Sequence, residues 1–381
     1  MNESGIVVMD QLKPKAHVSL PIECQSVWKV FGRNNKAAMQ SILENGLDKA
    51  RILHDFDCAV GVADVSLKVE KGETFCIMGL SGSGKSTLVR LLNRLIEPTQ
   101  GQVLIQGTDI RNLDKENLRK MRANHIGMVF QNVALLPFRT TLENVAFGLE
   151  VRNVPKRKRE AIAREALAKV GLAEWSERYP DELSGGMQQR VGLARALAAD
   201  PEILLMDEPF SALDPIIRKQ LQDEFRQLSQ KLGKTTVFIT HDLEEAIRIG
   251  DRIAIMKDGA IIQLGTPEEI VLFPETDYVA NFVEGISRIH LVKAASIMIA
   301  PDQFNDTNKD FDLSALPCAA PTSDLHDLIV HSISNQNGQI AIIEDEKIIG
   351  VVTREAILQA VIGSGTEGAA QYVTDASKRA V

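Results

Sequence analysis

The chain has 381 residues, 44% of them hydrophobic and 25% charged, with a formal net charge of −8. That length suits two or three domains, and the acidic balance disfavours a general nucleic-acid binder while leaving local basic patches open. Cys24, Cys58, Cys76 and Cys318 are scattered without a C-x-x-C pair, which suits reduced thiols in a cytosolic protein rather than a disulfide framework. No signal peptide is read at residues 1–10 and no apolar run reaches about 18 residues, so the chain is expected not to span a membrane itself.

Residues 1–20 are polar and irregular. Ile22–Phe31 alternates well enough for a first strand and carries Trp28 and Phe31, either of which would stack on an adenine; core packing is the alternative for both. Asn34–Asp57 reads as helix, break at Asn45-Gly46, helix. It looks like an insertion, because a strand–turn–strand run turning at Lys71-Gly72 resumes after it.

Phe75–Met78 (FCIM) reads as a buried strand and Ser86–Leu95 as a helix. Between them GLSGSGKST, Gly79–Thr87, fits G-x-x-x-x-G-K-[ST] with Gly79, Gly84, Lys85 and Ser86 at the fixed positions. Glycines let a backbone wrap a phosphate without Cβ clashes. The N–H groups across Ser81, Gly82, Ser83 and Gly84, with the helix start at Ser86 and Thr87, then offer positive charge to that phosphate. Lys85 would reach the β- and γ-phosphates of a nucleotide, and Ser86 would ligate Mg²⁺.

A short hairpin at Gly101–Ile110 and a helix near Lys115–Ala123 follow, then a strand Ile126–Gln131. Leu135–Leu149 is a loop and a helix opening near Thr141, where Thr141 and Asn144 give half a capping box. Pro155–Val170 is a charged helix whose KRKR run reads as a solvated face rather than a lipid or nucleic-acid contact. LSGGMQQR (Leu183–Arg190) opens another helix. ILLM (Ile203–Met206) is a buried parallel-type strand that runs into Asp207 and Glu208. Thr235–Asp242 is an apolar strand ending at His241, and Arg252–Gly265 a hairpin turned at Asp258-Gly259. Beyond Gly285 come a weakly periodic stretch, a helix at Ser323–Ser332, strands at Gln339–Ile343 and Lys347–Thr353, a helix at Arg354–Ile362 and a flexible tail.

The fold class is α/β, a P-loop NTPase. Asp207, at the end of a core strand beside the phosphate loop, fits a Mg²⁺ role; Glu208 is placed to deprotonate an attacking water. Gln131 and His241 end strands of the same sheet and converge on the ligand crevice, Gln131 sensing metal and water, His241 contacting the γ-phosphate. Ser184, Gly185 and Gly186 make a bare helix N-terminus suited to a second phosphate. That is useful if it caps the nucleotide of another subunit in a head-to-tail dimer, with Ala212–Asp214 near the seam.

GLSGSGKST, Gln131, LSGGMQQR, ILLMDE, SALD and His241, in this order, resemble the ATPase subunit of an ABC transporter over about residues 22–285. The resemblance implies two subunits sandwiching two ATP molecules, each held by one chain's phosphate loop and the other's Ser184, Gly185, Gly186 and Gln188, with Asp214 at the seam. It implies ATP and Mg²⁺ as cofactors, a homodimer on transmembrane permease subunits at the cytoplasmic membrane face, and a substrate-binding protein or domain in the complex, with no nucleic acid. The insertion at 34–57, VGVADVSL, LLPFRTTLENVAFGLE and the C-terminal module resemble the glycine betaine/proline betaine importer type, with choline as a further substrate; another small solute is the alternative. A helical subdomain of about residues 132–200 would grip the permease. Residues 286–381 resemble a degenerate CBS module; where nucleotide-binding CBS repeats often carry an acid three positions after the strand-end Thr, Thr353 is followed by Ala356.

A soluble ABC ATPase of the repair type would carry long coiled-coil insertions, and one of the translation type two cassettes. This chain has one phosphate loop, one LSGG and no heptad run. A binding module without catalysis is opposed by intact Lys85, Asp207, Glu208 and His241.

Overall fold

The computed structural model describes residues 19–131, 133–211, 213–307, 313, 316–333 and 338–362. The expected flexible tail at 363–381, most of the irregular N-terminal stretch, and Ala212 lie outside these residues.

Strand β1 (Ile22–Phe31) occupies the predicted residues and pairs antiparallel with β2 (Ala59–Val69), from Ile22↔Val69 to Phe31↔Ala59. Between them stand α1 (Asn35–Asn45) and α2 (Lys49–Phe56). Gly46 closes α1 in the left-handed region, and Asp48 opens α2 by accepting from the Arg51 amide. These helices bury Ala38, Met39 and Ile52 against Val30 and Cys58, a small core of their own onto which Trp28 packs.

Then come β3 (Thr74–Met78), α3 (Lys85–Leu92), β4 (Gln100–Ile105), β5 (Thr108–Asp109), α4 (Lys115–His125) and β6 (Ile126–Val129). β2, β1, β4 and β5 form an antiparallel sheet in that order. Helices α5 (Thr141–Val151), α6 (Lys156–Lys169) and α7 (Gly185–Ala198) follow. α5 starts as predicted, but its capping box is one residue earlier: Thr140 accepts from the Glu143 amide and Glu143 accepts from that of Thr140.

The chain re-enters the core with β7 (Ile203–Asp207), α8 (Pro215–Leu232), β8 (Thr235–Thr240), α9 (Leu243–Ile249), β9 (Arg252–Lys257), β10 (Ala260–Gly265), α10 (Pro267–Leu272) and α11 (Asp277–Val283). α8 is not among the predicted elements. Its signals are an N-capping Asp214, Pro215 in the first turn and Gly233 in the left-handed region at its end.

The central sheet has the order β10-β9-β3-β8-β7-β6, parallel except for the β10 edge. β3, β7 and β8 are buried along their whole length, which is why their centres read as apolar runs. β6 ends at Val129, two residues short of the predicted Gln131, because as the edge strand it pairs only with β7 and stops at Val129↔Met206. Parallel strands bring the residues after β3, β6, β7 and β8 to one edge of the sheet.

The C-terminal segment adds α12 (Ala294–Ile297), α13 (Pro301–Thr307), β11 (Cys318–Ala319), α14 (Leu325–Ile333), β12 (Ile340–Glu344), β13 (Lys347–Val352) and α15 (Arg354–Ile362). β11 pairs parallel with β12, a third strand too short for periodicity to reveal. Val292, Leu325, Leu328, Ile340, Ile342, Val352 and Ile357 share a separate core. Thr353 caps α15: its hydroxyl accepts from the Ala356 amide at 3.2 Å.

Candidate active site

The loop between β3 and α3 tolerates only glycine at two positions. Gly79 (φ 151°) and Gly84 (φ 104°) lie in the left-handed region, and an added Cβ would sit 2.2 Å from the Met256 carbonyl oxygen and 2.3 Å from that of Gly61, respectively. The buried Lys85 ammonium donates to the carbonyls of Gly79 (2.7 Å) and Leu80 (3.0 Å). Burial lowers its pKa, opposed by the charges of Glu208 and Asp207. Ser83 keeps a buried hydroxyl without a hydrogen-bond partner, while Ser81 and Gly82 are exposed. An orphaned hydroxyl, a buried cation and a glycine cradle fit a polyphosphate.

Ser86 Oγ donates to Asp207 Oδ1 at 2.8 Å, and Arg90 Nη2 stands 3.9 Å from Asp207 Oδ2. Burial raises the Asp207 pKa, opposed by the Ser86 hydrogen bond and by Arg90. A hydroxyl and a carboxylate this close are the hard oxygen donors Mg²⁺ takes, so the pair fits that ion.

Glu208 sits just past β7 at φ 46°, a region costly for a residue with a Cβ, pinned by its amide to the Ile239 carbonyl (3.1 Å). Its Oε2 meets Gln131 Nε2 at 3.3 Å and His241 Nδ1 at 3.2 Å, the two strand-end residues expected at the metal and water and at the γ-phosphate. Gln131 also reaches Ser211 Oγ at 3.5 Å. Its amide bonds therefore run to the Glu208 side of the site, not to the Ser86–Asp207 pair.

Ser184 caps α7, its hydroxyl accepting from the Met187 amide at 3.3 Å. Ser184 and Gly185 are exposed, and a Cβ on Gly185 would meet only Leu213 Cδ2, at an ordinary 3.7 Å. Among the described residues nothing requires glycine there. The same Cβ on Gly186 would press on Ile217 Cγ2 at 2.9 Å. Gln188 donates its amide to the carbonyls of Pro180 (2.8 Å) and Leu183 (3.3 Å), bracing the loop that leads into α7. Asp214 is exposed, accepting from the amides of Ile216 and Ile217.

A family profile described as "ABC transporter" matches residues 62–211. The glycine betaine transport ATP-binding protein OpuAA of Bacillus subtilis is 55% identical over 279 residues, 73% of this chain and 66% of that protein's length. The trimethylamine N-oxide transport system ATP-binding protein TmoW of Pelagibacter ubique is 45% identical over 341 residues, 89% of this chain and 97% of that protein. Among solved structures, the dimeric ATP-binding cassette MJ0796 bound to ADP and Pi is 33% identical, with a TM-score of 0.54 over 65% of this chain and 98% of that one. The chain belongs to the ATP-binding subunits of ABC transporters.

In this ABC ATPase the two aromatic residues of β1 separate. Phe31 is 39% exposed, and a Cβ on Gly61 would lie 2.6 Å from its ring and 3.5 Å from Thr87 Cγ2, so the ring stands beside the start of α3. Lys29 Nζ is 5.0 Å from its centroid. Trp28 packs instead on the core of the insertion.

α8 also carries side chains that brace the ABC ATPase site and that no motif announced. Arg218 Nη2 donates to the carbonyls of Ser211 (3.3 Å) and Leu213 (3.0 Å), and its Nη1 lies 3.9 Å from Asp242 Oδ2. One guanidinium thereby joins the segment after Glu208 to the segment holding His241. One turn on, Gln222 Nε2 donates to the buried Glu245 Oε1 at 2.8 Å. Burial raises the Glu245 pKa above 4.5, opposed by hydrogen bonds from Thr240 and Gln222. A carboxyl whose folded pKa exceeds its unfolded one gives most stability when protonated, and loses it as pH rises from the unfolded value through the folded one. Glu245→Gln is therefore expected to gain melting temperature relative to the wild type at about pH 8, with the gain shrinking towards about pH 4.5; thermal melts across that range check it.

Proposed function

We propose that this ABC ATPase hydrolyses ATP to energise import of glycine betaine or a related quaternary amine, working as a head-to-tail homodimer on a membrane permease. The observation that carries the ATPase reading is the meeting of Gln131 and His241 on Glu208 Oε2, beside the Ser86–Asp207 pair. Glu208 accepts the proton of the attacking water, and Gln131 and His241 hold that carboxylate and the water in line. Lys85 and the loop amides would bind the β- and γ-phosphates, and Ser86 and Asp207 would hold Mg²⁺, with Gln131 joining them on turning its amide away from Glu208. Bound Mg²⁺ supplies neutralisation of the charge on the phosphate oxygens.

Phe31, the exposed ring beside Thr87, is the residue we assign to adenine stacking, and Trp28 is structural. Phe31→Ala should raise the KM for ATP about tenfold, the scale of a lost base–aromatic stack, with kcat little changed. Phe31→Trp should restore it; ATPase assays over a range of ATP concentrations decide.

The dimer is supported by the exposed α7 N-terminus and by Ile216, 79% exposed beside Asp214. A second chain would bring its Ser184, Gly185 and Gly186 onto the triphosphate, with Gln188 bracing that loop and Asp214 near the seam. Docking to a permease is supported by Phe138, 93% exposed in the loop before α5. Among the described residues no helix is long and apolar enough to cross a membrane, so attachment at the cytoplasmic face runs through that partner. The strand–helix–strand–strand–helix order of β11, α14, β12, β13 and α15 supports a CBS-like regulatory module, and Ala356 speaks against adenosine binding there.

A second reading, trimethylamine N-oxide transport, is favoured by one observation: the TmoW match extends over 97% of that protein, the OpuAA match over 66%. Reconstitution with a permease and a substrate-binding protein that assemble with this chain tests both. Glycine betaine should stimulate ATP hydrolysis in proteoliposomes. Stimulation by trimethylamine N-oxide alone would favour the second reading, and stimulation by neither would overturn both.

A further inference from the structure

Helices α8 and α9 are tied side by side by a ladder of side chains. Arg218 Nη1 stands 3.9 Å from Asp242 Oδ2, Gln222 Nε2 donates to Glu245 Oε1 at 2.8 Å, and Arg226 Nη1 donates to the Arg248 carbonyl at 2.8 Å. The rungs recur every four residues on α8 and every three along α9, so each helix offers one face to the other. The pair forms one stiff unit.

Both functional segments stand at the same end of that unit. Asp214 and Ile216 open α8 and are exposed. A Cβ on Gly186 would press on Ile217 at 2.9 Å, so this first turn rests against the α7 N-terminus. His241 immediately precedes Asp242, whose Oδ1 caps α9 by accepting from the Glu245 amide at 3.2 Å. Arg218 faces both segments. Its Nη2 donates to the carbonyls of Ser211 (3.3 Å) and Leu213 (3.0 Å). Ser211 in turn donates its hydroxyl to the Glu208 carbonyl at 3.0 Å and lies 3.5 Å from Gln131 Nε2.

We propose that Arg218 is a positioning residue for hydrolysis: it makes the segment after Glu208 and the segment holding His241 move with the first turn of α8, so that partner contact at that turn sets His241 against Glu208. The proposal rests on the reading that Glu208 and His241 act in ATP hydrolysis. Packing of α8 on α9 is already served by the Gln222 and Arg226 rungs. A guanidinium placed for stability alone would also not leave a buried donor unmade, yet among the described residues Arg218 Nε is buried without a hydrogen-bond partner. The residue type follows from the task. A planar fork can donate to two carbonyls and face a carboxylate at once, whereas a Lys ammonium is a compact point charge.

The test uses the full chain with ATP and Mg²⁺. Arg218→Gln should lower kcat at least about tenfold, since a misplacement of about 1 Å can cost about 100-fold. The KM for ATP should stay within about twofold of the parent, because the phosphate loop and Phe31 are untouched. Arg218→Lys should recover part of the loss. Arg226→Gln makes the same change on the same helix pair, two turns further from His241; it should lower melting temperature by a similar amount and leave kcat at the parent level. Equal loss of kcat in Arg218→Gln and Arg226→Gln would mean a structural role and overturn the proposal. Asp242→Asn keeps the oxygen that caps α9 and removes the charge facing Arg218, so it should also lower kcat. Combined with Arg218→Gln it should be no slower than the slower single variant, as expected of two groups acting through one contact. Losses that multiply overturn the proposal. In a Glu208→Gln background, Arg218→Gln should still dimerise with ATP; a variant that stays monomeric places Arg218 in assembly instead. Full kcat in Arg218→Gln beside an inactive Glu208→Gln overturns this proposal alone, whereas normal turnover in Glu208→Gln overturns the reading beneath it.

Discussion

Glu208→Gln should leave ATP binding intact and lower turnover by at least about 100-fold, the lower end of what a positioned base contributes. The substitution keeps shape and removes the charge. The amide oxygen it introduces can still accept from Gln131 Nε2 and His241, so the surrounding bonds at 3.3 and 3.2 Å have no reason to part. What disappears is the proton acceptor. Binding should hold or tighten, because a carboxylate no longer opposes the triphosphate. The ATP-bound dimer should then persist, and size-exclusion chromatography with ATP should show a dimer that ADP does not support. Wild-type turnover in this variant would remove Glu208 from the base's role.

Gly185→Asp should abolish hydrolysis without disturbing the fold. Among the described residues an added Cβ meets nothing closer than Leu213 Cδ2 at 3.7 Å, and the position is exposed, so melting temperature should barely change. If the α7 N-terminus serves the partner's triphosphate, a carboxylate there repels it and fills the space it needs. Lys85→Ala should be equally inactive, for loss of the phosphate grip. Mixing the two dead variants is the decisive measurement. A mixed dimer carries one wholly damaged site and one wholly intact site, so random mixing should return about a quarter of wild-type activity. A single-chain catalytic centre predicts no recovery.

The phosphate loop, the strand-end acids and the LSGG start of α7 were readable because each needs fixed residue types at fixed spacing. Buried strands such as Ile203–Asp207 were readable because burial on both faces leaves an apolar run. α8 was less visible: with Leu221, Gln222, Phe225 and Ser229 buried, its inward face mixes polar and apolar side chains. β11 spans only two residues and exists through its pairing with β12, a contact no local pattern encodes. The choice between Trp28 and Phe31 also needed three dimensions. Both alternate along one strand, and only the packing of α1 and α2 takes Trp28 out of the mouth of the site. Arg218 was invisible for a similar reason, since its role lies in bonding two loops that are distant in sequence.

The insertion carries one more consequence. Val30, Ala38, Met39, Ile52 and Cys58 share no member with the cores beneath the two large sheets. A patch with its own apolar nucleus opens with its own free energy. Thermal or osmotic perturbation of α1 and α2 can thus loosen the strand end that bears Phe31 while the triphosphate cradle keeps its shape. If Phe31 stacks on the base, its affinity and the speed of hydrolysis become separately adjustable, and hydrogen exchange of the amides in 35–56, faster than that of β3 and β8, would register the independence.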